Sequence, residues 1–210
     1  MGICITRIID SCVLVDIDGL VTLIDPGVFA WDWDDVDVHD IDKVDRILVT
    51  HAHADHFHLP FVQWLTERFG APLQSTSEVV TKLAEAGIDA TTDPFDGVVV
   101  TEAAHEAIPV GPQVPANIAF DIGGAFPPPG DSYKLERSER ILALPMSPPW
   151  GSLTASVAYA KRLQPDIVIP IHDWTHTPDA RRWMSGVATA ALEPAGIRFV
   201  HLEYGESAEL

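Results

Sequence analysis

Basic residues are scarce: 13 Lys and Arg stand against 31 Asp and Glu, for a formal net charge of -18. A phosphate backbone or an anionic membrane is gripped by a field of Lys and Arg, so this balance argues against nucleic-acid and membrane partners but leaves small anionic substrates open. Cysteine is nearly absent. Cys4 and Cys12 are too few for a disulfide framework and match a reduced, cytoplasmic protein. No apolar run approaches the roughly 18 residues of a membrane span, and Arg7 and Asp10 interrupt the first one, so neither a span nor a secretory signal is expected. Also missing are a Gly-x-Ser-x-Gly elbow, a Gly-x-x-x-x-Gly-Lys phosphate loop and a dinucleotide fingerprint, and neither Ser132 nor Ser147 has the surroundings of a triad serine.

What is present suffices for one domain spanning residues 1–210. With 47% hydrophobic residues, a chain of this length buries about 70% of its unfolded surface and needs no metal merely to stay folded. A metal here would therefore signal chemistry. Short β-branched runs at 3–9, 13–17 and 20–24 predict strands, with Asp18-Gly19 as a two-residue hairpin turn. Residues 46–50 read as a buried strand. Helical periodicity follows at 61–69, with Pro60 at a first helical position and Gly70 as cap, and again at 77–87, 152–163 and 177–192. Strands are expected at 98–101, 118–122, 141–144, 167–171 and 198–202. The alternation is α/β in character, and the opening hairpins argue against a purely parallel sheet. Asp32, Asp34, Asp35, Asp37, Asp40, Asp42 and Asp45 crowd the stretch 31–45, which lacks the Gly and closing Glu of a calcium loop and reads as solvated loop.

The chemistry concentrates in His51-Ala52-His53-Ala54-Asp55-His56-Phe57-His58, directly after the 46–50 strand. Four of the nine histidines fall within these eight positions. Alternate residues leaving a strand point the same way, so His51 and His53 can converge on one ion, and Asp55 and His56 can aim at a second point beyond. Imidazole and carboxylate suit zinc, manganese or iron, and with no cysteine nearby a thiolate-rich structural zinc site is not expected. His58 suits a helix start as well as a ligand. His39, His176 and His201 read as surface or supporting residues.

This pattern, with Thr50 ahead of it and the Asp25-Pro26-Gly27 turn upstream, resembles the metallo-β-lactamase superfamily. The likeness continues in order through His105, Gly130-Asp131-Ser132 and Ile169-Pro170-Ile171-His172, covering about residues 3–175. The last two segments are most similar to the branch that includes L-ascorbate-6-phosphate lactonase. The resemblance implies a four-layer αββα sandwich and two divalent metals, zinc first and manganese or iron as alternatives. It implies that His51, His53 and His105 hold one metal, that Asp55, His56 and His172 hold the other, and that Asp131 bridges them. A metal-bridging hydroxide would then attack an ester, lactone, amide or phosphoester of a small molecule, with Asp55 also orienting it or carrying its proton.

The chain departs from its relatives at Asp10-Ser11-Cys12 in the first hairpin, in the Pro-rich run before Gly130, and at Pro145-Met146-Ser147-Pro148-Pro149-Trp150-Gly151. These leave the ligand set intact and loosen any transfer of substrate. Trp31, Trp33 and Trp150 are candidate substrate contacts. The Asp-rich stretch with its interleaved aromatics is expected to form an acidic rim that repels polyanions. A phosphodiesterase or nuclease of the same superfamily, or a non-catalytic metal-binding module, are the alternatives; nothing in the sequence excludes a homo-oligomer.

Overall fold

The computed structural model describes residues 2–32, 36–109 and 114–210. Two compact units form, residues 1–95 with 204–210, and residues 96–203. Among the described residues no helix is long and apolar enough to cross a membrane.

The first unit opens with β1 (Ile3–Ile9), β2 (Cys12–Ile17) and β3 (Leu20–Ile24), then α1 (Val28–Asp32), β4 (Arg46–Leu48), α2 (Leu59–Phe69), β5 (Leu73–Gln74) and α3 (Ser77–Glu85). The β2–β3 hairpin turns at Asp18 and Gly19, both at positive φ (51° and 89°), as expected for a turn that follows the right-handed twist of its strands. β3 then pairs in parallel with β4, and β4 with β5, so the sheet is antiparallel at one side and parallel at the other. Pro60 lies in the first turn of α2, and Gly70 (φ 62°) ends it. Thr76 caps α3 by accepting from the Val79 N–H.

The second unit contains β6 (Val98–Glu102), β7 (Ile118–Ile122), β8 (Ile141–Pro145), α4 (Leu153–Leu163), β9 (Ile167–Ile171), α5 (Pro178–Leu192) and β10 (Arg198–Phe199). β6 and β7 form an antiparallel pair, and β10-β9-β8 a parallel sheet. β8 and β9 are buried at every position, which is why their sequences run apolar without alternation. Leu142, Leu144, Tyr159, Ala160, Val168, Ala188 and Leu192 join in the core of this unit. Pro170 sits in the central strand where its missing N–H costs at most one ladder bond: Ile167 and Ile171 bond toward the β8 side, whereas position 168 faces β10 and its carbonyl accepts from the Val200 N–H at 2.9 Å, just past the end of that strand. The chain then returns to the first unit as β11 (Ser207–Glu209), which pairs antiparallel with β1 at the edge of the six-stranded sheet.

Four differences from the sequence reading are informative. The stretch 31–45 is not wholly loop: α1 reaches Asp32, and Val38–Asp40 forms a 3-10 turn capped by Asp37, which accepts from the His39 N–H at 2.9 Å. Asp45 accepts from the Val21 N–H at 2.7 Å and pairs with Lys43, so part of the acidic density does local structural work. β5 and β11 are too short to show a period. β10 stops at Phe199 rather than 202. Trp33, Asp34 and Asp35 lie outside the described residues.

One close approach ties the fold to the chemistry-bearing segment. A Cβ on Gly27 would lie 1.8 Å from the Asp55 carbonyl oxygen, so only glycine lets this backbone run against residues 55–56. The Val28 N–H donates to Ala54 O at 2.8 Å and the His58 N–H to Pro26 O at 2.9 Å, fastening the two segments on either side. Gly27→Ala should therefore lower unfolding stability by about 3 kcal/mol, measured by denaturant titration; a change below 0.5 kcal/mol, on the order of an inert surface substitution, would contradict the close packing.

Candidate functional site

The first unit carries His51, His53, Asp55 and His56 on the turn that follows β4. After His53 the chain closes one tight turn, with the His56 and Phe57 N–H groups both donating to His53 O (3.0 and 2.8 Å). The segment is held from beneath by Asp25, buried and at positive φ (49°), just past the end of β3. Its Oδ1 accepts from the Thr50 N–H at 2.7 Å; its Oδ2 accepts from the Thr50 hydroxyl at 2.9 Å and from His56 Nδ1 at 2.8 Å.

These bonds decide which ring nitrogens are available. His56 gives Nδ1–H to Asp25, so Nε2 carries the lone pair, and it lies 3.8 Å from Asp55 Oδ2. The Thr50 hydroxyl donates to Asp25 and so accepts from His51 Nδ1 at 3.0 Å, which leaves the lone pair of His51 on Nε2. That Nε2 is 3.2 Å from His53 Nδ1. Two nitrogens bound at about 2.05 Å to one tetrahedral ion stand about 3.3 Å apart, so the pair has the spacing of co-ligands.

The second unit carries His105, Asp131 and His172. His105 lies three residues beyond β6, His172 directly after β9 at positive φ (57°), and Asp131 after Gly130 at the end of the Pro-rich run. Asn117 locks this group: its Nδ2 donates to Ala103 O (2.7 Å) and Pro129 O (3.0 Å), and its Oδ1 accepts from the Asp131 N–H (3.2 Å). The Asp131 carbonyl accepts from the Glu106 N–H at 2.8 Å, and the Ser132 hydroxyl donates to Ala104 O at 3.1 Å. The Asp131 carboxylate divides between the histidines, with Oδ2 3.2 Å from His105 Nε2 and Oδ1 3.2 Å from His172 Nε2.

This donor set fits a divalent cation. His105 Nδ1 is 2.6 Å from the Glu106 carbonyl, which can only accept, so Nδ1 bears a proton and Nε2 is the ring atom turned toward a carboxylate oxygen. The 3.2 Å between that nitrogen and Asp131 Oδ2 is again the separation of two atoms sharing one ion. A histidine whose second nitrogen is fixed by a carbonyl or carboxylate is the usual form of an oriented metal ligand. Among the described residues no cysteine stands in either group of side chains that could hold a metal; burial pushes the Cys12 thiol well above its ordinary value, with the carboxylates of Asp25 and Asp10 adding to the effect.

The remaining candidates take other places. His58 is the N-cap residue of α2 and makes no side-chain capping bond. His39 packs edge-on against Trp64 (ring centroids 5.0 Å), His176 Nε2 lies 2.5 Å from Ser147 Oγ, and His201 Nδ1 lies 2.8 Å from Ser185 Oγ. Trp31, on α1, packs between Phe61 (5.4 Å) and Trp64 (6.0 Å) of α2. Trp150 donates its indole N–H to Asp131 Oδ2 at 2.8 Å. Asn117 carried no signal in the sequence, because its partners are more than ten residues away; Asp25 was visible only as part of a turn.

Comparison with known proteins agrees with this picture. The metallo-beta-lactamase superfamily profile matches residues 5–87. The UPF0173 protein PF0020 of Pyrococcus furiosus is 30% identical over 183 residues, covering 80% of this chain and 81% of that protein. Protein Rv0786c of Mycobacterium tuberculosis is 26% identical over 185 residues, covering 81% and 84%. Among solved structures, Igni18, a metallo hydrolase from the hyperthermophilic archaeon Ignicoccus hospitalis, matches with a TM-score of 0.77 at 20% identity, covering 100% of this chain and 99% of that one. At that identity the likeness is one of fold, and the fold is the metallo-β-lactamase fold. Since the profile match contains the whole His-x-His-x-Asp-His turn and a 30% identical relative extends over four fifths of the sequence, the chain belongs to the metallo-beta-lactamase superfamily.

Proposed function

We propose that this protein is a metal-dependent hydrolase of small molecules whose metal ligands are His51, His53, Asp55, His56, His105, Asp131 and His172. The observation that carries it is the orientation of His105: with Nδ1 committed to the Glu106 carbonyl, its Nε2 faces the Asp131 carboxylate at 3.2 Å, the spacing of two ligands of one ion. Imidazole mixed with carboxylate favours zinc, with manganese and iron as alternatives. Bound divalent ions would polarise a carbonyl or phosphoryl oxygen and bring the pKa of a coordinated water toward neutrality.

The chain's own residues do the rest. Asp25 and Thr50 hold His51 and His56 in the tautomers that expose Nε2. Asp131 offers one oxygen to each of two histidines. Asp55, a quarter exposed, is the carboxylate of its turn that solvent can reach, and we assign its Oδ2 to carry a proton toward the leaving group. Trp31 and Trp150, both half-buried, are proposed substrate contacts. The resemblance of Gly130-Asp131-Ser132 and Ile169-Pro170-Ile171-His172 to the L-ascorbate-6-phosphate lactonase branch makes lactones and phosphorylated sugars the first substrates to try. The charge of -18 weighs against a nuclease, because little attraction to a polyanion would remain even with two divalent ions bound.

Purified protein should take up zinc, manganese or iron(II), and a chelator should abolish hydrolysis of lactone, ester or phosphodiester model substrates, restored by adding metal; protein that binds none of these ions would end the proposal. Asp131→Ala should reduce kcat/KM by about a thousandfold or strip metal, whereas His58→Ala should leave both within about twofold. Asp25→Asn, which disturbs the His56 tautomer without touching a ligand, should weaken metal binding by about 10–100-fold in a competition titration. Unchanged affinity would show that Asp25 serves folding alone.

A further inference from the structure

We infer that Trp150 is a positioning residue that sets the plane of the Asp131 carboxylate. The main chain of Asp131 is already fixed, by Asn117 on its N–H and by Glu106 on its carbonyl. Those backbone bonds do not reach the carboxylate's last torsion, a freedom with broad preferences. The indole N–H removes this freedom, reaching Oδ2 at 2.8 Å while the same oxygen lies 3.2 Å from His105 Nε2 and the other lies 3.2 Å from His172 Nε2. An indole is suited to the task because it donates and never accepts, so it cannot compete with the carboxylate for a cation.

The ring is itself held. It stands edge-on to Tyr133 (centroids 4.9 Å), His172 (5.9 Å) and His105 (6.3 Å). Tyr133 is anchored by its hydroxyl, 2.8 Å from Ser156 Oγ and 3.2 Å from Pro145 O. Residues 145–151, whose Pro-rich sequence departs from the relatives, thereby acquire a purpose: a turn closed by the Gly151 N–H on Pro148 O presents Trp150 to Asp131.

The inference rests on the metal reading above, and the test separates the two. Trp150→Phe keeps the ring and loses only the N–H. Measured on the full chain by zinc competition against a chromophoric chelator, it should weaken affinity by about 10–100-fold while the metal-free protein melts within a few degrees of wild type. In an Asp131→Ala background the same change should cost nothing further, since the effect runs through that carboxylate. Wild-type affinity in Trp150→Phe, or an equal loss in both backgrounds, overturns this inference alone; a wild-type protein that binds no zinc, manganese or iron(II) overturns it together with the proposed function. Should Trp150→Phe not fold, the Trp150 indole N–H resonance of the wild-type protein, identified by its displacement in Asp131→Asn, should shift in step with zinc binding, and a resonance indifferent to zinc overturns the inference.

Discussion

The buried carboxylate of Asp25 accepts a backbone N–H, a hydroxyl and an imidazole N–H, and the geometry of the His51–His56 turn hangs on those three bonds. It can do so because β3 and β4 run side by side in parallel, which brings the exit of one strand to the exit of the next; the Asp25 N–H closes the ladder on Leu48 O. The strands supply the placement and the carboxylate supplies the ring orientation. Positive φ at Asp25 and a glycine two residues later are the local costs of turning the chain under the His51–His56 segment rather than past it.

The group of His105, Asp131 and His172 solves the same problem by other means. Its three members come from three separate stretches, so strand adjacency alone cannot bring them into register. Asn117 replaces it with a single side-chain amide that bonds two carbonyls and one N–H, binding the end of β6 to the loop of Asp131. Loops carrying reactive groups lose precision unless a rigid layer holds them. Here that layer is polar and specific: Asn117, Glu106, Ser132 and Trp150 each spend a hydrogen bond on placement.

Much of this was legible in the sequence because it is local. His-x-His after an apolar strand places two imidazoles on one side by the period of two, and Asp18-Gly19 and Gly70 declare a turn and a helix end by their own chemistry. His172 was legible as the residue at which a buried run stops. The Asp-rich stretch misled: charge density suggested loop, while Val28–Asp32 has the spacing to make a short helix whose Trp31 packs on α2. Asn117 and the roles of Trp150 and Asp25 were not legible, since each depends on a partner between 14 and 31 positions away and no periodicity records such a pairing.

The last strand has a consequence for how the protein keeps to itself. β1 is rich in isoleucine and would otherwise end its sheet with unpaired N–H and C=O groups, a ready template for another chain. β11 covers that edge with Ser207, Ala208 and Glu209, and the Leu210 N–H bonds Ile3 O. The new outer edge is short, polar and negatively charged. A few residues at one end of the chain thus act as a guard against strand-to-strand aggregation, and clipping them would convert an ordered hydrolase-like fold into one with an exposed adhesive border.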